Sequence, residues 1–190
     1  MTDNRMDIIW APWRMAYITG DHDKEKAAES ARNAALPPLL DGGNDDCFIC
    51  QAAVCPEEQF PARYIVHRGE AVITLLNRYP YNNGHLLVAP RRHIANLSDL
   101  TSAEWKEISQ QLTFRVDQIR RLMNADGFNV GLNLGRIAGA GLPGHLHWHI
   151  VPRWSGDTNF VTTIGSMKAI TQSLEAVCEL LREDEQSKMN

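Results

Sequence analysis

Between Gly127 and Ser155 the chain carries no aspartate or glutamate, although acids make up 23 of its 190 residues. An acid-free stretch argues against a hydrolytic metal site supported by carboxylates and suits an anionic ligand, which carboxylates would repel. A basic excess is missing too: the formal charge is −4, so there is no electrostatic footprint for long nucleic acid, and an anion must be held by a local site. Cysteine is scarce. Cys47, Cys50, Cys55 and Cys178 are the four present, too few and too unevenly spaced for a secreted disulfide framework. No apolar run reaches the roughly 18 residues of a membrane span, and Met1–Asp7 does not resemble a secretory leader, so a cytoplasmic protein without membrane contact is expected. No internal repeat occurs. The length and the 44% hydrophobic content fit one globular catalytic domain.

What is present is a row of imidazoles. In Gly144-His145-Leu146-His147-Trp148-His149-Ile150, three histidines alternate with apolar residues. An extended strand would place His145, His147 and His149 on one face and Leu146, Trp148 and Ile150 on the other. A glycine-rich loop, Gly135–Gly144, leads into the row and lets backbone N–H groups approach phosphate oxygens. Before it, residues 128–134 alternate as a strand with Asn129, Gly131 and Asn133 on one face. Residues 63–67 and 71–76 read as a hairpin and 85–90 as a buried strand ending at Pro90. Residues 102–124 form the clearest helix, with Trp105, Ile108, Leu112, Val116, Ile119 and Met123 in one stripe and a Thr101–Glu104 capping box. A last helix is expected from about Ser166 to Arg182. The division expected is an aromatic docking arm and flexible linker over 1–46, a catalytic domain over 47–182 and a frayed charged tail over 183–190.

A histidine row supports either of two chemistries. His-x-His can ligate a metal that activates water, or a neutral imidazole can attack an electrophile while its neighbours manage charge. The missing carboxylates and the surrounding Asn133, Arg136, Arg153 and glycine backbone favour a phosphate substrate, whose transfer depends on positioning and charge stabilisation. Separately, Cys47-Phe48-Ile49-Cys50 places two thiols close enough to chelate one ion. Zinc is preferred over a redox pair because no strand precedes the motif in a thioredoxin-like manner. His93, at the exit of the 85–90 strand, is a candidate further ligand.

His145-Leu146-His147-Trp148-His149-Ile150-Val151 resembles the His-φ-His-φ-His-φ-φ signature of the histidine triad (HIT) family of nucleotide hydrolases and transferases, and Asn77–Pro90 resembles its nucleotide-binding strand and turn. The Trp10–Met15 arm, Asn129–Gly135 and Pro152–Phe160 look like the bacterial branch that cleaves diadenosine polyphosphates, such as diadenosine tetraphosphate. The resemblance implies an α+β HIT-like fold with an antiparallel sheet, a long central helix, a C-terminal helix and a homodimer. It implies that His147 is the nucleophile forming a nucleotidyl-histidine intermediate, which water or orthophosphate resolves. His149 would bind phosphate and assist the leaving group, and His85 would orient His147. Asn77 would contact ribose, with Asn133 and the Gly139, Ala140, Gly141 and Gly144 backbone on the phosphates. Many relatives carry a glutamine where this chain has Gly141. Some relatives hold a structural zinc on residues corresponding to Cys47, Cys50, His93 and His145, and Cys55 is an alternative ligand. A nucleoside phosphoramidase, a nucleotidylyltransferase or a non-catalytic nucleotide-binding protein are the other activities the resemblance allows.

Overall fold

The computed structural model describes residues 7–9, 34–159, 162 and 167–189. In chain order these form β1 (Asp7–Ile9), α1 (Phe48–Val54), β2 (Ile65–Arg68), β3 (Val72–Leu76), β4 (Leu86–Pro90), α2 (Ser102–Met123), β5 (Gly127–Leu132), β6 (Trp148–Arg153), β7 (Met167–Ala169) and α3 (Leu174–Met189). Strands β2, β3, β4, β6 and β5 make an antiparallel sheet in that order. The result is the α+β architecture expected. A small parallel pair, β1 with β7, was not anticipated; the aromatic part of the arm lies outside the described residues.

The sheet is buried on both faces because β3 and β4 are apolar apart from Thr74, and all five residues of each are buried. One face carries Val72, Leu86, Val88, Trp148 and Ile150 against Ile108 and Ile119 of α2 and Leu174, Val177 and Leu181 of α3. The opposite face carries Ile65, Ile73, Leu75, Leu87 and Ala89 against Ile49 and Ala52 of α1, with Leu36 and Leu39 packed beside them. Part of the stretch expected as linker is therefore a cover for the second face. Turn chemistry sets the entry to β4: Gly84 has φ +70°, and a Cβ there would meet Sδ of Met123 at 3.1 Å. Only glycine takes that conformation without strain.

α2 follows its sequence signals closely at its ends. Thr101 and Glu104 form the reciprocal capping box, and Asn124 closes the helix in the left-handed conformation. Its buried face differs from the stripe of apolar residues. Ile108 and Ile119 are fully buried, but Trp105 is 42% exposed, and Arg115 and Gln118 are buried instead. The reason is α3. Arg115 donates to Gln118 and to Glu185, both at 2.8 Å, and Gln118 donates to the Leu181 carbonyl at 2.8 Å.

The final helix starts at Leu174, so the expectation of a start near Ser166 is corrected. Ser173 caps it, its Oγ accepting the Ala176 N–H at 3.2 Å, which is the ordinary role of serine at a helix start. Residues 183–189, expected as a frayed tail, continue the helix because Asp184 and Glu185 are held by Arg121 and Arg115 of α2. Burial pushes the Glu185 carboxyl up, but His67 and Arg115 outweigh it and hold the group below its ordinary value. Removing Glu185 leaves a buried guanidinium without its counter-charge. Glu185→Leu should therefore cost about 3 kcal/mol in urea unfolding, while Arg115→Met with Glu185→Leu should recover most of that loss. Equal losses in the single and double variants would show that the pair is not what Glu185 contributes.

Candidate active site and metal cluster

The histidine row enters the sheet on β6, between β4 and the edge strand β5. β6 is assigned from Trp148, so His145 and His147 lie on its approach, anchored where the Leu146 N–H donates to the Ile94 carbonyl at 2.7 Å. Leu146, Trp148 and Ile150 join the helix-covered core, as the alternation requires. His149 pairs in register with Leu87, which belongs to the opposite core. The imidazoles therefore lie on the face away from α2 and α3.

His145 is set apart from the other two. Its Nε2–H donates to the Pro90 carbonyl at 2.8 Å, which leaves Nδ1 with a lone pair. That lone pair faces Sγ of Cys47 at 3.3 Å, Sγ of Cys50 at 3.6 Å and Nδ1 of His93 at 3.2 Å. Sγ of Cys50 lies 3.2 Å from Nδ1 of His93, and all four ligand atoms fall within 4.8 Å of one another. A tetrahedral zinc ion has edges of roughly 3.3 Å between nitrogens and 3.6 Å between nitrogen and sulfur, given its ordinary bond lengths. Four of the six donor pairs already sit near such spacings, and the carbonyl behind His145 is the partner that fixes a ligating imidazole. Cys55 stands outside the cluster, with its thiol turned to the Ala52 carbonyl at 3.4 Å. Without an ion, burial pushes the Cys47 thiol up to about 11.

His147, His149 and His85 form the second group, and backbone groups determine their tautomers. Nδ1 of His147 lies 2.8 Å from the His145 carbonyl. A carbonyl only accepts, so Nδ1 carries the proton, and the neutral ring keeps its lone pair on Nε2. For His85, the Tyr81 backbone N–H donates to Nδ1 at 3.0 Å. Its proton therefore sits on Nε2, which donates to Nδ1 of His149 at 2.9 Å. His149 must then carry its proton on Nε2, and that atom is buried with no hydrogen-bond partner. A buried N–H without an acceptor is costly and is a place for a ligand atom. Burial, with added repulsion from neighbouring imidazoles, lowers His85 to about 3 and His149 to about 4, so both are neutral at pH 7.

The glycine loop supplies the remaining wall. Gly135 and Gly139 take φ of +79° and +91°, flanking a short 3-10 turn over Arg136–Ala138. A Cβ on Gly139 would lie 3.8 Å from Nδ2 of Asn133, so the loop returns to the asparagine with which the sequence grouped it. Gly141 has open space around its Cα, and a Cβ at Gly144 would contact Nε2 of His93 at 3.4 Å. Asn77, at the end of β3, places Nδ2 3.4 Å from Nδ1 of His85. Arg153 is committed elsewhere: it forms a two-pronged pair with Asp157 at 2.6 and 2.9 Å. The expectation that it contributes charge to a phosphate is corrected. A cleft of about 560 Å³ lined by Asn82, Met123, Trp154 and Gln172 contains none of these histidines.

Residues 57–156 match the HIT domain. The chain belongs to the HIT family. Among its relatives, the AP-4-A phosphorylase of Mycobacterium tuberculosis is 38% identical over 182 residues, covering 94% of this chain and 84% of that protein. A histidine triad nucleotide-binding protein from Sulfolobus tokodaii superposes with a TM-score of 0.54 at 29% identity, over 65% of this chain and 84% of that one. A zinc-bound histidine triad family protein from Mycobacterium smegmatis also gives 0.54, at 24% identity, over 67% of this chain and 88% of that one.

In this HIT-family chain the structure brings together all four residues grouped as a metal cluster, with Cys47 and Cys50 just ahead of the matched domain, and separately His85, His147 and His149. The direct hydrogen-bond partner of His85 is His149, whose ring centroid lies 5.0 Å from that of His147. Sequence reasoning missed Tyr81, because its contribution is a backbone N–H that no residue type reveals. It also missed Asn82, whose amide ties the turn to the Pro152 carbonyl and to Asp157, both at 2.8 Å; the Asn82-Asn83-Gly84 turn signal was the available hint.

The depressed His85 value has a stability consequence. The folded state resists protonation while the unfolded chain accepts a proton near 6.5. His85 therefore weighs nothing against the fold above that pH, and stability falls as pH drops through the window from 6.5 toward 3. Lowering pH from 7 to 5 should remove about 2 kcal/mol through His85 alone, with His149 acting in the same direction. Urea unfolding of wild type and His85→Gln at both pH values checks this; an equal pH slope in the two proteins would refute it.

Proposed function

We propose that this HIT protein cleaves dinucleoside polyphosphates, such as diadenosine tetraphosphate, by nucleotidyl transfer through His147. The observation that carries the reading is the pair of opposed tautomers: a lone pair on Nε2 of His147 and an unsatisfied N–H on Nε2 of His149. A nucleophile and a hydrogen-bond donor side by side suit attack on phosphorus with charge developing on its oxygens. Nε2 of His147 attacks the α-phosphorus, a P–N bond forms, and the bond to the bridging oxygen breaks. His149 donates to the phosphate and to the departing oxygen. Orthophosphate or water then attacks the phosphorus, the P–N bond breaks, and His147 is restored. His85 holds His149 in its donating tautomer, while Asn77 contacts ribose. Asn133 and the backbone of Gly139, Ala140, Gly141 and Gly144 hold the phosphates. Orthophosphate is the favoured acceptor, since the relative covering 94% of this chain is named a phosphorylase.

Cys47, Cys50, His93 and His145 hold a structural Zn²⁺, which fastens α1 and the β4 exit to the approach of β6. Bound there, zinc supplies no chemistry to the substrate; it fixes the His145 backbone whose carbonyl orients His147. The protein works as a homodimer. Supporting that, β5 is an edge strand, and Val130, Leu134 and Ile137 on it and on the loop that follows are exposed. An apolar edge of this kind invites pairing. Among the described residues no helix is long and apolar enough to cross a membrane, and a cytoplasmic setting with free nucleotide as partner suits the site.

Two measurements test the enzyme reading. Products from diadenosine tetraphosphate should be ATP and ADP with orthophosphate, and ATP and AMP where water is the acceptor. Brief incubation with substrate labelled in the α-phosphate should leave an acid-labile, alkali-stable label on wild type and none on His147→Ala. Turnover without any trappable label on His147 would rule the route out.

A further inference from the structure

Tyr81 is 54% exposed, yet its ring already covers two imidazoles. Its centroid lies 4.8 Å from that of His85 and 5.7 Å from that of His149, the latter at an interplanar angle of 24°. The ring is in contact with both imidazoles and more than half of the residue is open to solvent. The ring is also held in place. The Tyr81 backbone N–H is bonded to His85, the Tyr79 N–H donates to Oδ1 of Asn77 at 2.9 Å, and Pro80 between them is buried. Among the described residues with exposed aromatic rings, Tyr81 is the one whose ring contacts reach the histidine row.

We propose that Tyr81 is the base-stacking residue of this site, and that the nucleobase of a bound nucleotide lies on the outer face of its ring. The proposal rests on the nucleotide reading above and adds what selects the base. A purine laid on that face removes two apolar surfaces from water and meets an already ordered ring, so little side-chain freedom is lost on binding. The same stack brings the attached phosphates toward the unsatisfied N–H of His149. Stacking discriminates by ring size, so the preference should favour purines over pyrimidines, and a loss on truncation of about 5- to 100-fold is typical.

The test compares wild type, Tyr81→Phe and Tyr81→Leu by calorimetric binding of ADP and UDP, with turnover of diadenosine tetraphosphate measured alongside. Tyr81→Leu should weaken ADP by about 10-fold and UDP by less, collapsing the purine preference. Tyr81→Phe should keep the ratio within about 2-fold, because the stacking face remains. If Tyr81 serves only to position His85 and His149, ADP and UDP will weaken equally, and the proposal is overturned. It is overturned as well if Tyr81→Leu changes neither, or if wild type binds neither nucleotide. Binding is read apart from turnover, so a protein that discriminates ADP through Tyr81 but labels no histidine would defeat the enzyme reading and leave the stacking role standing.

Discussion

Replacing His147 with alanine is expected to lower turnover of diadenosine tetraphosphate by about 10⁴-fold or more, since loss of a nucleophile removes the route rather than slowing it. The size follows from the geometry around one atom. Nδ1–H of His147 is committed to the His145 carbonyl, so Nε2 is the atom left with a lone pair. No neighbouring imidazole can replace it: Nδ1 of His149 is occupied by His85, and its Nε2 bears hydrogen. His149→Ala should cost less, about 10²- to 10³-fold, the range seen when one preorganised donor to a developing oxyanion is lost. His85→Ala should act through the tautomer of His149. It should lower kcat with little change in KM, because it touches no substrate atom. Steady-state kinetics on variants whose thermal unfolding matches wild type will check the ranking. A His147→Ala protein that keeps even one tenth of wild-type turnover would show that phosphorus is attacked by something else.

The ranking also marks what the sequence could reveal. Alternation from His145 to Ile150 was enough to assign the two faces, because side-chain direction in extended chain is a local property. The thiol pair, spaced for one ion, was legible for the same reason. The tautomers were not, since they depend on carbonyls and an N–H brought from Pro90, His145 and Tyr81 by the fold. Nor was the separation of His145 from its two neighbours visible in the spacing, which treats the three histidines alike. The errors in the helices have a related origin. Periodicity finds apolar stripes, but the α2–α3 contact is partly polar, with Arg115 and Gln118 buried and Asp184 and Glu185 answering them. Charges that pair across a helix interface look like a solvated tail until the partner helix is in place.

Loss of the proposed zinc should be the most damaging change to the fold. The four donors join three parts of the chain: α1, the exit of β4 and the approach to β6. The layer they fasten is thin, for α1 has seven residues and is the only helix of four or more residues in the second core among the described residues. A structural zinc binds the folded chain far better than the unfolded one, so its binding free energy becomes folding free energy. Chelation of the holoprotein at pH 7.5 is expected to cost about 5 kcal/mol or more, which for a domain of this size is a fall in Tm of about 10–20 °C. Zinc content should be one ion per chain in wild type and in Cys55→Ser, but near zero in Cys47→Ser. Because burial raises the Cys47 thiol to about 11, binding must displace its proton, so affinity should strengthen as pH rises. Activity should fade with the time course of unfolding rather than at the moment of chelation, because His147 and His149 are not among the four ligands. Instant loss of turnover from a still-folded protein would mean that the metal reaches the substrate. An unchanged Tm would mean that two thiols and two imidazoles, spaced as zinc ligands, hold this layer together without it.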